Sequence, residues 1–357
     1  MIYIYISFLS KNMALRQVLV SFVGHVDHGK SSILDKIRGT TITEREAGFI
    51  TQAIGASIIP VETIKRVCGE LLNTLKINIT IPGVLAIDTP GHAAFFHLRK
   101  RGGNLADLAV VVIDINEGVK PQTIECFDIL KQYKTPFVIA ANKIDLIQGW
   151  KVTGKHLFEA IQKQSQNTQT IFETKTYQLV NKLGEFGFNS DRFDRIGDYT
   201  KQIAIIPVSA KTGDGIAELL MVLTGLAQKY LEQRLNLNVE GNAKGTILEV
   251  KEEKGLGKTL DVILYDGTLK KDDTIVIGGL KEAIVTKVRG LFEPEDLAEM
   301  RDKKSKFIAV SKVTASTGVK ISAPNLDNAI AGMPIMSCEN NIEEVKKLVQ
   351  REVREVI

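Results

Sequence analysis

Residues 24–31 combine the residue types and the spacing that bind a polyphosphate. A glycine at 24 is followed by four residues and then by Gly29, Lys30 and Ser31, the pattern of a phosphate-binding loop. The glycines let backbone amides wrap a phosphate, the lysine can reach the terminal phosphates, and the serine hydroxyl can ligate Mg²⁺. The residues expected to line this nucleotide site are Gly24, His25, Val26, Asp27, His28, Gly29, Lys30, Ser31 and Ser32.

A second set of polar residues follows the apolar run 84–88. Asp88 ends that run and can hold a water molecule of the Mg²⁺ shell, and the amide of Gly91 can approach the γ-phosphate closely. Between the two motifs lies Thr51, a further candidate Mg²⁺ ligand that would be ordered only while the γ-phosphate is bound. We therefore expect a magnesium site made by Ser31, Thr51 and, through water, Asp88.

Three residues after the apolar run 137–141 carry the signal for the base. They are Asn142, Lys143 and Asp145. An aspartate carboxylate offers two acceptors to the ring and amino hydrogens of guanine, whereas adenine lacks that pair of donors. The Lys143 stem can lie across the base, and Asn142 can tie this loop to the phosphate loop.

The last motif, Ser209-Ala210-Lys211, follows the final strand and completes the cradle, where the Ala210 amide can donate to the guanine carbonyl. Ligands of open α/β sheets bind at the carboxyl ends of strands. Four motifs in this order, each at such an end, predict a guanine-nucleotide site.

His92 is the residue expected to orient the attacking water. Positioning and charge stabilisation dominate phosphoryl transfer, so no obligatory proton abstraction is assigned to it. Val26 and Ile50 are expected to form an apolar gate that keeps His92 away from the water until a partner pushes it in. Asp27 is expected either to hold a monovalent cation, K⁺ or Na⁺, or simply to cap a turn.

Two histidines of the loop, His25 and His28, raise the question of a zinc site. Around a bound phosphate their side chains are expected to diverge, and no cysteine or carboxylate cluster joins them in the sequence. Because zinc needs three or four converging ligands, no zinc site is expected here.

The motifs require strands that end at one edge of a sheet. Near-continuous apolar runs predict strands in a sheet covered on both faces, at residues 18–23, 84–88, 109–114, 137–141 and 203–208. Helices are predicted over residues 31–38, 121–133, 171–183 and 216–231. Strands alternating with helices give an α/β fold class, a P-loop domain with a doubly wound, mostly parallel sheet.

The pattern changes after residue 243 to short strands with turn signals, which are typical of a small antiparallel β-barrel. Strands are predicted over residues 245–251, 259–264, 274–277, 284–290 and 319–321, and an amphipathic helix over 342–356. The expected organisation is 1–13 as a disordered or added extension, 14–235 as the nucleotide-binding domain with an insertion at 150–202, 236–340 as the barrel, and 341–357 as the start of a linker helix.

Composition sets further limits. The chain has 357 residues, a net charge of +4 and three distant cysteines, which argue against a disulfide framework and for a reducing, cytoplasmic setting. The apolar N-terminal stretch is shorter than the roughly 20 residues of a membrane span. We therefore predict no membrane role, and any nucleic-acid partner must be recognised by a local surface.

Further stretches resemble a known family. The loop at 24–31 together with Asp88-Thr89-Pro90-Gly91-His92 is similar to translational GTPases. Five other stretches resemble initiation factors of the bacterial type 2 and archaeal/eukaryotic type 5B group. They are Arg45-Glu46-Ala47-Gly48, Ile50-Thr51-Gln52, Ile54-Gly55-Ala56, Leu98-Arg99-Lys100-Arg101-Gly102 and residues 116–123. Residues 140–150 and the insertion resemble the archaeal/eukaryotic branch. The likeness runs from about residue 15 to 336, and Phe49 stands where these factors usually have a glycine.

The resemblance implies an Mg²⁺-dependent GTPase that joins ribosomal subunits, with hydrolysis triggered by the large subunit. It also implies a monomer whose barrel contacts small-subunit ribosomal RNA. Family members continue into two further domains, the last of which binds initiator tRNA, so the chain resembles a form truncated to the first two domains and is not expected to bind that tRNA. Two alternatives stay open: an elongation-type factor of the selenocysteine-specific kind, and a nucleotide-dependent ribosome assembly platform.

Overall fold

The computed structural model describes residues 15–39, 55–75, 78–88, 106–152, 156–231, 241–253, 255–295, 307–339 and 341–354. The first part of the chain forms a seven-stranded sheet with the order β2-β3-β1-β4-β5-β7-β6. Its strands are β1 (Val18–Gly24), β2 (Gly55–Pro60), β3 (Gly83–Asp88), β4 (Leu108–Asp114), β5 (Phe137–Asn142), β6 (Ser190–Arg192) and β7 (Ile203–Pro207). All neighbours pair in parallel except β2, which runs antiparallel to β3.

Helices cover both faces of this sheet, which confirms the predicted α/β fold class. They are α1 (Lys30–Arg38), α2 (Val61–Leu75), α3 (Pro121–Gln132), α4 (Leu157–Gln162), α5 (Gln166–Glu185) and α6 (Ile216–Leu231). One hydrophobic core lies beneath α1, α2 and α6, and a second lies beneath α3, α4 and α5. Alternate residues of a central strand, such as Val110 and Val111, enter opposite cores, so the strand is apolar throughout.

The insertion is part of the sheet rather than an appendage to it. Its helix α5 is longer than predicted and begins after Ser165, whose hydroxyl accepts a hydrogen bond from the Thr168 amide. After that helix the chain adds the short strand β6 beside β7 at the sheet edge. The predicted helix began too late, at residue 171, because the first residues of α5 are polar and add no apolar periodicity.

The second part of the chain, called here the antiparallel domain, holds an eight-stranded antiparallel sheet packed around a hydrophobic core. Its strands, with a separate two-stranded pair β10–β15, are β8 (Lys244–Glu253), β9 (Gly257–Asp266), β10 (Thr268–Lys270), β11 (Thr274–Ile277), β12 (Ile284–Lys287), β13 (Gly290–Pro294), β14 (Phe307–Val310), β15 (Lys312–Thr314), β16 (Thr317–Ser322) and β17 (Pro334–Cys338). The predicted domain boundary at 235/236 falls outside the described residues and stays a prediction.

The single strand predicted over 284–290 is wrong. The structure divides it into β12 and β13, because the chain changes its partner between them. β12 pairs with β11, whereas β13 pairs with β16 and β14. At the junction the Val288 amide donates to Asp273 and the Arg289 amide donates to Ser322.

The last described element is helix α7 (Ile342–Arg354), which packs onto the antiparallel domain. Val345, Val349 and Val353 are buried, and the first two pack against residues of β11 and β17. The antiparallel domain therefore covers the apolar side of this helix. Leu348 differs from those valines, since it stays 46% exposed.

Candidate functional site

The loop at 24–31 joins β1 to α1 and needs glycine at both of its ends. Gly24 has φ of 137°, and a Cβ there would lie 2.4 Å from the Val112 carbonyl oxygen of β4. Gly29 caps α1 with φ of 89°, and its Cβ would lie 2.4 Å from Asn142 Nδ2. Both conformations belong to the region that glycine alone adopts readily. The backbone thus turns tightly enough to expose loop amides at a helix N-terminus.

Lys30 lies beneath this loop and is only 5% exposed. Its Nζ donates to the carbonyl oxygens of Gly24 at 3.1 Å and His25 at 2.8 Å. Burial lowers the pKa of Lys30, while the nearby Asp88 carboxylate acts in the opposite direction. The ammonium group is therefore held inside the loop, where a polyphosphate would meet it.

Ser31 and Asp88 form the part of the candidate magnesium site that the structure describes. The Ser31 hydroxyl donates to Asp88 Oδ2 at 2.6 Å, and both residues are buried. The parallel pairing of β1 with β3 brings the aspartate beside the loop. A hydroxyl and a carboxylate are hard oxygen donors, which fit Mg²⁺. Mg²⁺ bound there would neutralise phosphate charge.

Asn142 connects the phosphate loop to the candidate base loops. Its Nδ2 donates to the His28 carbonyl at 2.8 Å, and its Oδ1 accepts from the Ala210 amide at 3.1 Å. The sequence predicted the first of these roles. The Ala210 amide, predicted to face the guanine carbonyl, donates to Asn142 in this structure, so its contact with a base stays a prediction.

Asp145 and Ser209 lie together although 64 residues separate them. The Ser209 hydroxyl donates to Asp145 Oδ1 at 2.6 Å, and the Lys211 carbonyl accepts from Lys36 of α1 at 3.3 Å. Each carboxylate oxygen can accept two hydrogen bonds, so Asp145 can still accept two from a ligand while it holds Ser209. The structure therefore brings the two predicted base-binding motifs into one cradle at the same sheet edge as the phosphate loop.

Three further residues at the site were not predicted from the sequence. The Gln122 side chain accepts a hydrogen bond from the Val26 amide at 3.1 Å and so holds the residue predicted to gate catalysis. Pro121 at the first position of α3 was the available signal, because it places Gln122 in the first turn. Asp114 and Asn116, at the end of β4, contact Lys143.

The expected divergence of His25 and His28 is wrong. Their rings lie 5.0 Å apart in edge-to-face contact. Asp27 between them has φ of 65°, a left-handed backbone conformation. Burial, with a smaller contribution from His25, lowers the pKa of His28 to about 4. Within the described ranges, no group of three or more histidine, cysteine or acidic residues is placed to hold a metal ion.

The buried His28 should make stability depend on pH in the acidic range. Its pKa falls from 6.5 in the unfolded chain to about 4 in the folded protein. Between these values the unfolded chain binds more protons, so the unfolding free energy decreases as pH falls. The shift corresponds to at most about 3 kcal/mol. Urea unfolding of the parent and of His28→Asn from pH 7.5 to 4.5 should show a shallower slope in the variant below pH 6.5.

Above pH 7 His28 is neutral in both states, and the two proteins should then differ by a constant. Equal slopes below pH 6.5 would contradict this assignment of the titrating group. The neutral His28 side chain therefore makes its full contribution to the unfolding free energy well above its unfolded pKa of 6.5. This contribution is lost as the pH falls toward the folded pKa of about 4.

Four predicted site residues, Ile50, Thr51, Gly91 and His92, lie outside the described residues. Their roles in the gate, the magnesium site and water orientation stay predictions. The parts of the chain that the structure describes contain no helix long and apolar enough to cross a membrane.

Comparison with known proteins gives a consistent result. The family described as "Elongation factor Tu GTP binding domain" matches residues 15–229. A "Probable translation initiation factor IF-2" of Thermococcus sibiricus is 55% identical over 344 residues, which are 96% of this chain and 57% of that protein. The crystal structure of GDP-bound aIF5B from Aeropyrum pernix has a TM-score of 0.86 at 48% identity, over 96% of this chain and 57% of that one.

A bacterial selenocysteine-specific elongation factor EF-Sec, at 22% identity and a TM-score of 0.58 over 90% of this chain and 45% of that one, shares the fold. The chain spans just over half the length of the curated relatives it matches. Its phosphate loop, its base cradle and the match over residues 15–229 all lie in the same domain. The chain belongs to the family of the elongation factor Tu GTP-binding domain.

Proposed function

We propose that this chain is the GTP-binding and GTP-hydrolysing part of a translation initiation factor that promotes ribosomal subunit joining. The observation that carries the proposal is the bridge by Asn142, which joins the phosphate loop to the loops that hold Asp145 and Ser209. Such a cradle suits a nucleotide with a phosphate chain at one end and a guanine base at the other. The similarity to a probable initiation factor over 96% of the chain supports the initiation role.

The test is GTP turnover with purified large and small ribosomal subunits, added separately and together. We expect the large subunit to stimulate phosphate release, the small subunit alone to have little effect, and the two together to stimulate most. Nucleotide binding without any stimulation would favour the assembly platform instead. Nucleotide-dependent binding of an aminoacylated elongator tRNA would favour the elongation-type factor.

The cofactor proposed is Mg²⁺, held by Ser31, by Asp88 through water and by Thr51. A monovalent cation, K⁺ or Na⁺, is proposed at Asp27, whose carboxylate is exposed at the left-handed position of the phosphate loop. A cation there would stabilise the negative charge that develops around the transferred phosphate during hydrolysis. We further propose that the chain acts as a monomer in the cytoplasm, and that initiator tRNA is not bound by the part described.

Ribosomal RNA is the proposed partner of the antiparallel domain. What supports an RNA contact is a groove of about 670 Å³ between α7 and the turn from β11 to β12. The cationic residues that line it are Lys281, Lys346, Lys347, Arg351 and Arg354. Among the described residues, its lining includes one acidic side chain, Glu282, and one apolar side chain, Ala283. Cations without an apolar anchor suit a phosphate backbone better than a protein partner.

The groove is built rigidly. The buried valines of α7 hold the helix on the domain, and Gln350 Nε2 donates to the Gly279 carbonyl of the turn at 2.8 Å. The helix and the turn that carry the cations are therefore held beside each other.

Reversing two groove charges, Lys347→Glu with Arg351→Glu, should weaken binding to small ribosomal subunits by about tenfold or more at low salt. The slope of log affinity against log salt should become shallower by about one or two. The matched control is Lys163→Glu with Lys201→Glu, because both lysines are exposed on the other domain and the net charge change is the same. Affinity and salt slope equal to those of the control would contradict the proposed surface.

A further inference from the structure

Lys143, the lysine of the base cradle, is held at both of its ends. It adopts a left-handed conformation with φ of 65°, which is costly for a residue with a side chain. Its Nζ lies 2.9 Å from Asp114 Oδ2, and its carbonyl oxygen accepts from Asn116 Nδ2 at 3.0 Å. Both partners come from the end of β4, the strand beside β5. The lysine is therefore positioned by a neighbouring strand end.

Asp114 is itself firmly anchored. It is 2% exposed, and its Oδ1 accepts from the Asn116 amide at 2.8 Å and from Asn116 Nδ2 at 3.2 Å. Burial alone would raise the pKa of Asp114, but the hydrogen bonds from Lys143 and Asn116 lower it below its ordinary value. The carboxylate is thus ionised at neutral pH and can hold an ammonium group in a fixed place.

We propose that Asp114 is a positioning residue for nucleotide binding, which fixes the Lys143 side chain so that its methylene stem forms a preformed surface for the face of the base. The proposal rests on the proposed guanine-nucleotide function. It goes beyond that function, because neither the base-reading carboxylate nor the phosphate loop includes a residue of β4.

The physical reason is preorganisation. A free lysine side chain has four rotatable bonds and loses this freedom when it packs on a ligand. An ion pair formed before binding removes most of that loss from the binding step. The pair also draws the ammonium group to one side, so that the apolar stem can cover an aromatic ring.

A nearby ion pair provides the matched control. Glu117 lies three residues after Asp114 and contacts Lys120 at 2.9 Å, but these side chains are 48% and 35% exposed. Solvent screening makes such a pair weak, and within the described parts of the chain neither residue forms an ion pair with Lys143. Glu117→Gln removes a carboxylate from the same loop and should leave nucleotide affinity unchanged.

The experiment measures GDP affinity and dissociation rate for the parent, Asp114→Asn and Glu117→Gln. We expect Asp114→Asn to weaken GDP binding by about tenfold, mostly through faster dissociation. Contact with the face of the base does not read the groups on its edge. Asp114→Asn added to Asp145→Asn should therefore weaken binding of a xanthine nucleotide about tenfold, compared with Asp145→Asn alone.

A double-mutant cycle with Lys143→Met separates positioning from general damage to the fold. Methionine keeps an apolar stem but has no ammonium group, so Asp114→Asn should have almost no further effect on affinity in that background. An equal loss in both backgrounds would overturn the proposal, as would unchanged affinity in Asp114→Asn alone. If that variant does not fold, Asn116→Ala serves instead, and it should also weaken both nucleotides; unchanged affinity there would overturn the proposal.

GDP binding by the parent protein distinguishes a failure of the proposed function from a failure of the role given to Asp114. A parent that binds no guanine nucleotide would overturn the proposed function and this inference together. A parent that binds GDP normally, with variants that bind as tightly, would overturn the role of Asp114 and leave the proposed function intact.

Discussion

The Asp145→Asn variant is expected to lose its preference for guanine and to bind xanthine nucleotides instead. In the folded protein Asp145 Oδ1 accepts a hydrogen bond from the Ser209 hydroxyl at 2.6 Å. An asparagine can keep this bond through its own oxygen, so the cradle should stay intact. The substitution therefore changes mainly the pattern of donors and acceptors offered to the base.

That pattern decides the size of the effect. Guanine presents two neighbouring donors, which a carboxylate accepts together, whereas xanthine replaces one donor by a carbonyl. An asparagine amide supplies one acceptor and one donor, which match xanthine. Mismatched polar groups in a closed site cost roughly 100-fold or more in affinity. We expect GDP affinity to fall by that factor and affinity for the xanthine nucleotide to rise comparably.

Competition between a fluorescent nucleotide and unlabelled GDP, xanthosine diphosphate and ADP measures the change. Asp128→Asn is the matched control, because Asp128 is an exposed carboxylate on α3. The control should keep the specificity of the parent. An Asp145→Asn protein that still prefers guanine would show that this side chain does not read the base.

The His92→Ala variant should bind GTP as tightly as the parent and lose ribosome-stimulated hydrolysis. His92 follows Asp88 by four residues, so an extended chain carries it at most about 14 Å from the end of β3. From the candidate magnesium site of Ser31 and Asp88, this distance is enough to reach a γ-phosphate. Loss of a group that orients the attacking water should reduce stimulated turnover by roughly 100-fold to 1,000-fold.

Single-turnover phosphate release with both ribosomal subunits measures this loss, and equilibrium binding of a fluorescent GTP analogue checks the affinity. Gln122→Ala provides a useful comparison, because it removes the hydrogen-bond partner of the Val26 amide and leaves the histidine in place. That variant should change turnover less than His92→Ala. Undiminished turnover in His92→Ala would remove the histidine from the catalytic assignment.

Much of the nucleotide site could be predicted from the sequence because its residues follow strands. Asp88, Asn142 and Ser209 each come directly after a buried apolar run, and parallel strands bring their carboxyl ends to one edge. The phosphate loop likewise lies between a strand and a helix. Local sequence order was sufficient for these residues, since the sheet converts position along the chain into position in space.

Other features could not be predicted, because they depend on contacts between distant residues. Lys143 contacts Asp114 across two neighbouring strands, and Gln122 reaches the Val26 amide from another helix. The His25 and His28 rings make contact across a left-handed residue, Asp27. Neither periodicity nor composition contains that geometry.

The amino-acid sequence by itself determined the α/β class, the strand ends and the kinds of side chain at the nucleotide site, because hydrophobic periodicity and loop chemistry are local properties. Tertiary structure alone decided that Asp114 holds Lys143, that β12 and β13 part to pair with different strands, and that α7 covers the antiparallel domain. These choices depend on which distant surfaces exclude water together and which buried charges find partners. Such partners are chosen only when the whole chain is folded.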